Sequence, residues 1–206
     1  MGLERKSSTG DNAIYLTVRT STDSKGRKRA VLAQRVPQGT PGAVQVFKAD
    51  GTPATNKEGD TVWRLEYDSI TGVITKVAKH DADFGDGKGQ SYCRVTITDD
   101  GQDFVLDLDR GDRYWADFLM RLPNMKLGVA VTLLPYNIMD EQGKYNMGVS
   151  MRQNGDKVER KWTAANGYAG GPPKAIYDED EGEWKFGKRN KWLEDNVLDA
   201  VAAQLA

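Results

Sequence analysis

Along the run SYCRVTITDD, Tyr92, Arg94, Thr96 and Thr98 alternate with Cys93, Val95 and Ile97. In an extended strand a period of two sends the apolar set to the core and the other set to the opposite face, outward. A phenol ring beside a guanidinium on an outward face is what a surface needs to stack bases and hold phosphates. The next run, QDFVLDLD, sets Phe104, Leu106 and Leu108 against Val105, Asp107 and Asp109, so its outward carboxylates keep that surface from being uniformly basic. Lys25, Arg27, Lys28 and Arg29 cluster between two alternating runs. Such a tip either clamps phosphates or simply discourages edge pairing, and both readings stay open.

Other chemistry is poorly provided for. Cys93 is the only cysteine and falls on the core side of its strand, so it reads as a structural thiol in a reducing compartment. With His80 the only histidine, neither a Cys–His pair nor a His-rich metal site is expected. Asp81, Asp83 and Asp86 resemble a calcium loop, but Gly85 stands at its fifth position and Tyr92 at its twelfth, where the EF-hand needs Glu. No phosphate-binding glycine–lysine loop, GxSxG, HExxH or CxxC occurs. Abundant acidic residues leave a carboxylate-only magnesium nuclease open, yet they form no constellation. The reading is therefore of a non-enzyme without cofactor or resident metal.

The elements that must position these residues run from Ile70 to Met151. ITGVITKVAK, SYCRVTITDD, QDFVLDLD, GVAVTLLPYN and KYNMGVSMRQ read as five strands. The second and third meet at the hairpin signal Asp99-Asp100-Gly101, and the last two flank a turn at Asp140 to Gly143. Gly72, inside the first strand, marks a bulge or sharp bend. Between the third and fourth strands, Trp115, Phe118, Leu119 and Leu122 recur at i, i+3, i+4 and i+7, one stripe of a helix with Asp112 as N-cap and its stop at Pro123. Five strands with a helix in that place follow the plan of an OB-fold barrel. The expected fold is thus mainly β: a five-stranded OB-fold barrel with a helix between strands 3 and 4, an N-terminal β-hairpin extension and a C-terminal helix.

Three segments are expected. Residues 1–57 hold a disordered lead, the hairpin NAIYLTVRT/RAVLAQRV and the short strand AVQVFK; 58–165 form the core; 166–206 comprise a linker, the acidic run Asp178 to Glu183 and an amphipathic helix. That helix repeats Leu193, Val197, Val201 and Leu205 every four residues. It either docks on its own barrel or serves as a tail for partners. Lys plus Arg (29) nearly balances Asp plus Glu (30), so any polyanion site must come from local clustering. No apolar run approaches about 18 residues, the start is polar, and Lys6 departs from the myristoylation pattern. A soluble protein of the cytoplasm, or of the host cytoplasm if viral, is expected.

The run from Ser69 to Asn137 resembles the OB-fold single-stranded DNA-binding proteins of tailed bacteriophages. The likeness lies in the G-x-I opening, the loop with Phe84-Gly85, the Asp-Gly hairpin and the F-L-x-x-L-P-N helix exit, with the upstream Y-L-T-V-R hairpin in support. It covers about residues 13 to 162. The resemblance implies a protein that coats single strands exposed in replication and recombination, without catalysis and with little sequence preference. Bacterial relatives end in an acidic tip with a terminal Phe, whereas here the acidic run precedes a helix. Stacking candidates are then Trp63, Phe84, Tyr92, Tyr136 and Trp162; phosphate candidates are Lys76, Lys79, His80, Lys88, Arg94, Arg152, Arg160 and Lys161. Partners would be single-stranded DNA and replication or recombination proteins at the C-terminal helix, with no membrane. The competing class is a protein-interaction or assembly module built on the same scaffold.

Overall fold

The computed structural model describes residues 12–22, 28–48, 50–82 and 89–206. The polar lead, the Lys25–Arg27 part of the cationic tip, and residues 83–88 with Phe84 and Lys88 lie outside the described residues.

β1 (Ile14–Thr22) and β2 (Lys28–Val36) form the N-terminal hairpin, followed by the short β3 (Val44–Gln45) and β4 (Trp63–Tyr67). β5 (Ile70–Ala82), β6 (Gln90–Asp99) and β7 (Gln102–Asp109) make an antiparallel meander. The β6–β7 turn places Asp100 and Gly101 at φ +45° and +80°, the two positive dihedrals a tight hairpin of this twist requires. α1 (Arg113–Arg121) leads to β8 (Val131–Met139), β9 (Tyr145–Gln153) and β10 (Asp156–Lys157). The Asp112 side chain accepts from the Trp115 N–H at 2.7 Å, capping α1 as the sequence indicates.

Ten strands form one sheet in the order β10-β9-β8-β5-β6-β7-β1-β2-β4-β3. β5 joins its two parts. Its first residues, Ile70–Gly72, pair with β8, and from Val73 onward it pairs with β6, with a register shift between Ile74 and Lys76. Gly72 permits this bend, because a Cβ there would lie 2.7 Å from the Thr98 carbonyl oxygen and 2.8 Å from the Ile97 side chain. The protein is mainly β, but the expected closed five-stranded barrel is corrected. The sheet coils so that β2 comes close beside β8, with no hydrogen-bonded ladder between them. The edge of β7 is occupied by β1, in parallel (Tyr15 opposite Val105, Thr17 opposite Asp107), so the N-terminal hairpin continues the sheet.

The core holds Cys93, Val95, Ile97, Leu106, Leu108, Val131, Leu133 and Met151 from the strands, and Trp115, Phe118, Leu119 and Leu122 from the helical stripe. At about 25 cal/mol per Å² of apolar surface, these side chains form the main stabilising mass of the fold. β11 (Ile176–Asp178) and β12 (Glu183–Lys185) form a separate hairpin around the acidic run. α2 (Gly187–Leu193), a π-turn at Glu194–Leu198 and α3 (Asp199–Leu205) then form the C-terminal helix. A four-residue repeat drifts by about 40° per step on a regular α-helix. The wider π-turn absorbs that drift. Leu193, Val197 and Val201 are all buried in the protein's own core. This is the docked arrangement, one of the two that the sequence left open. No helix among the described residues is long and apolar enough to cross a membrane.

Candidate nucleic-acid interface

Ladder register decides which side chains share the outer face of the sheet. One row crosses six strands as Ala78, Arg94, Asp107, Thr17, Ala33 and Glu66. A second runs Lys76, Thr96, Val105 and Tyr15, and a third sets His80 opposite Tyr92 and Tyr92 opposite Asp109. Arg19, Arg35 and Arg64 belong to the same face. At about 4.8 Å per strand, six strands span roughly 24 Å.

Four of the sequence candidates therefore meet: Lys76, His80, Tyr92 and Arg94. The His80 and Tyr92 rings lie 6.4 Å apart. Partial burial, with the Asp109 and Asp107 carboxylates nearby, pushes the Tyr92 hydroxyl above its ordinary value, so it stays a neutral stacking ring. The Tyr92 hydroxyl donates to Gln90 at 2.8 Å. Arg94 differs from the free phosphate clamp expected. Its Nε and Nη2 both donate to Asp107, each at 2.8 Å, and its guanidinium carbon sits 5.8 Å from the centre of the Tyr15 ring. The Asp107 hydrogen bonds raise its pKa further. Arg94 is a fixed, largely neutralised plane. Tyr15 and Arg19 were missed by the sequence reading; period-two alternation in NAIYLTVRT puts both opposite Leu16 and Val18, but only the parallel β1–β7 pairing brings them beside Arg94.

Charge on this face is mixed. Arg29 pairs with Glu66 and with Asp68 (2.5 Å), and Arg64 with Glu66 at 2.7 Å. Lys76, Arg19 and Arg35 form no ion pair among the described residues and remain exposed. The usable positive charge is thus sparse.

The remaining candidates fall elsewhere. Lys79 lies opposite Cys93, on the other face, with Nζ 3.8 Å from Asp81. Trp63 is opposite Val36, also on the core side, and donates to Thr61 at 3.1 Å; with Arg35, Gln38 and Asn56 it lines an edge cleft of about 480 Å³. Arg152 is exposed on β9 and donates to the Gly155 carbonyl, and Lys161 is exposed with its Nζ 5.3 Å from the centre of the Trp162 ring.

Trp162 itself is corrected as a stacking platform. It is 6% exposed, packs edge-on against Trp192 at 5.1 Å, and is covered so closely by Gly171 that a Cβ there would overlap its ring. Tyr136 and Arg160 are corrected too. Both are consumed by Asp117, which is 1% exposed on α1. The Asp117 carboxylate accepts from Arg121 Nε (3.2 Å), Arg160 Nε, the Tyr136 hydroxyl (3.0 Å) and the Val149 N–H (2.9 Å). Such a charge is tolerable in the interior because it is fully paired. The sequence signal for this cluster was the Asp117/Arg121 spacing of four on the helix, polar residues flanking the apolar stripe.

Burial pushes the Cys93 thiol far up, leaving it no nucleophile. Comparison of the chain with protein-family models, with curated proteins and with solved structures finds no match.

Proposed function

We propose that the protein binds single-stranded DNA without catalysis, on the outer face of the β5-β6-β7-β1 region of the sheet. The observation that carries this reading is the juxtaposition of His80, Tyr92, the Arg94–Asp107 plane and Tyr15 on adjacent strands. Bases lie against these flat groups, each worth about 1–3 kcal/mol. Lys76 and Arg19 hold phosphates beside them. Stacking, rather than phosphate neutralisation, supplies most of the affinity. The strand is read with little sequence preference, because every base presents a ring face. The finer architecture belongs to this proposal: β5 to β9 with α1 act as an OB-like core of about residues 58–165, extended by the 1–57 segment and sealed by 166–206. A role in coating strands exposed during replication or recombination, in a bacteriophage context, fits such binding.

A fluorescence titration with labelled dT oligomers at two salt concentrations tests the reading. Saturable binding that weakens modestly with salt is expected. Absence of binding at low salt overturns it.

One observation favours a second reading, a protein-interaction or assembly module. Ile138 and Met139, at the end of the β8–β9 hairpin, are 63% and 58% exposed. Neutral behaviour in the titration, with association at that hairpin, would decide for it.

A further inference from the structure

Between the segment 168–175 and the C-terminal helix lies a cleft of about 250 Å³, lined by Tyr168, Pro172, Pro173, Lys174, Ala175, Trp184 and Arg189. Its walls are mostly rings and prolines. Arg189 is the exception. It is half-buried, has no carboxylate partner among the described residues, and donates only to the Met120 sulfur at 3.4 Å. A partly buried guanidinium without a counter-charge is costly, and here Arg160, itself satisfied by Asp117, adds like charge nearby. An anion entering the cleft removes that cost.

The cleft is also firmly built. Asn166 holds the wall in place: its Oδ1 accepts from the Thr163 and Tyr168 N–H groups (2.8 and 3.1 Å) and its Nδ2 donates to the Lys161 carbonyl. Tyr168 is thereby kept at φ +57°, a conformation few non-glycine residues adopt and one that tends to mark functional places. Across the cleft Trp184 is 57% exposed, braced by the Tyr177 ring at 5.3 Å.

These features specify a ligand with one flat apolar body and one compact anionic group. Two cations, the Arg189 fork and Lys174, suit a doubly charged phosphate better than a single carboxylate. The volume, below the roughly 300–1,000 Å³ of drug-sized sites, holds one nucleoside unit. The carboxylates of Asp178 to Glu183 on the adjoining hairpin repel any further phosphates. We infer that this cleft is a nucleoside monophosphate site, with the base between Trp184 and the Pro172–Pro173 wall and the phosphate on Arg189. It is separate from the outer sheet face and does not depend on that reading.

Isothermal titration of the full chain with thymidine 5′-monophosphate, thymidine, inorganic phosphate and indole-3-acetate tests it. The monophosphate should bind saturably, with thymidine and inorganic phosphate at least tenfold weaker. Arg189→Gln and, separately, Trp184→Ala should each weaken monophosphate binding at least fivefold with unchanged thermal unfolding, whereas Tyr92→Ala leaves it unaltered. Trp184 is exposed, so its variant tests the cleft even where the Arg189 variant is destabilised. No saturable binding of the monophosphate, an affinity unchanged from the parent protein in both cleft variants, or equally tight binding of indole-3-acetate would overturn the inference.

Discussion

Arg94 and Asp107 face each other on adjacent strands and form a two-point ion pair, Nε to Oδ1 and Nη2 to Oδ2, both at 2.8 Å. The pair holds the guanidinium plane over Tyr15 and at the same time cancels its charge. Asp107→Asn separates these effects. The amide keeps one acceptor for Arg94 but releases its net charge to the surface. Single-stranded DNA affinity should rise severalfold at low salt, and the slope of log K against log salt should steepen by about 0.7 for the one added phosphate contact. Arg94→Ala should weaken binding about tenfold. Titrations of both variants across a salt series provide the measurement, and an unchanged slope in Asp107→Asn would remove Arg94 from the DNA path.

Asp112 carries a pH dependence. Burial, reinforced by Asp109, raises its pKa to about 6 against the opposing hydrogen bond from the Trp115 N–H. A folded-state value above the unfolded one means that protonation favours the fold. Its contribution is fully present below about pH 4 and is lost as pH rises through about 6. After allowance for its partial exposure, the difference is roughly 1–2 kcal/mol. Asp112→Asn keeps the capping oxygen without the charge. It should raise the melting temperature at pH 7.5, change it little at pH 4.5, and flatten the profile between; thermal denaturation at these pH values checks the sign.

The Asp117 cluster predicts a clean split between stability and binding. Asp117→Ala leaves the buried Arg121 and the half-buried Arg160 without their counter-charge and should cost about 3–5 kcal/mol. Tyr136→Phe removes two hydrogen bonds from the cluster, the one its hydroxyl donates to Asp117 and the one it accepts from Arg160 Nη2 (3.2 Å), and should cost about 1–3 kcal/mol. Neither residue touches the proposed interface, so Tyr136→Phe should leave DNA affinity within twofold. Urea unfolding and titration of the same protein give both quantities. A tenfold loss of affinity at unchanged stability would return Tyr136 to the binding surface.

Local pattern made much of this legible. Alternation identified the buried face of β6, the Asp-Gly signal identified its hairpin, and the helical stripe identified the plug of the core. The failures share a cause. Tyr136, Arg160 and Trp162 have types that suit a binding face, but their fate is set by partners far along the chain: Asp117 for the first two, Gly171 and Trp192 for the third. Likewise Tyr15 reaches Arg94 only because β1 runs parallel to β7, a pairing that connects residues some 90 apart and leaves no trace in either segment's periodicity. The edge occupied by β1 is also why a closed five-stranded barrel did not follow from five correctly ordered strands.

The C-terminal helix gives the last prediction. Val197 is 1% exposed, among the most deeply buried residues of this helix, and lies in the core cluster with Leu193, Leu198 and Val201. If the helix were a free hook, a charge on its stripe would abolish a partner contact and spare the fold. Because the stripe is instead part of the core, Val197→Asp introduces an unpaired buried carboxylate and should cost about 3 kcal/mol or more. Gln204→Ala, on the same helix but exposed, should cost less than about 0.5 kcal/mol. Equilibrium unfolding distinguishes the two roles: a Val197→Asp protein that melts like the parent would mean that the helix detaches in solution and its apolar face is available after all.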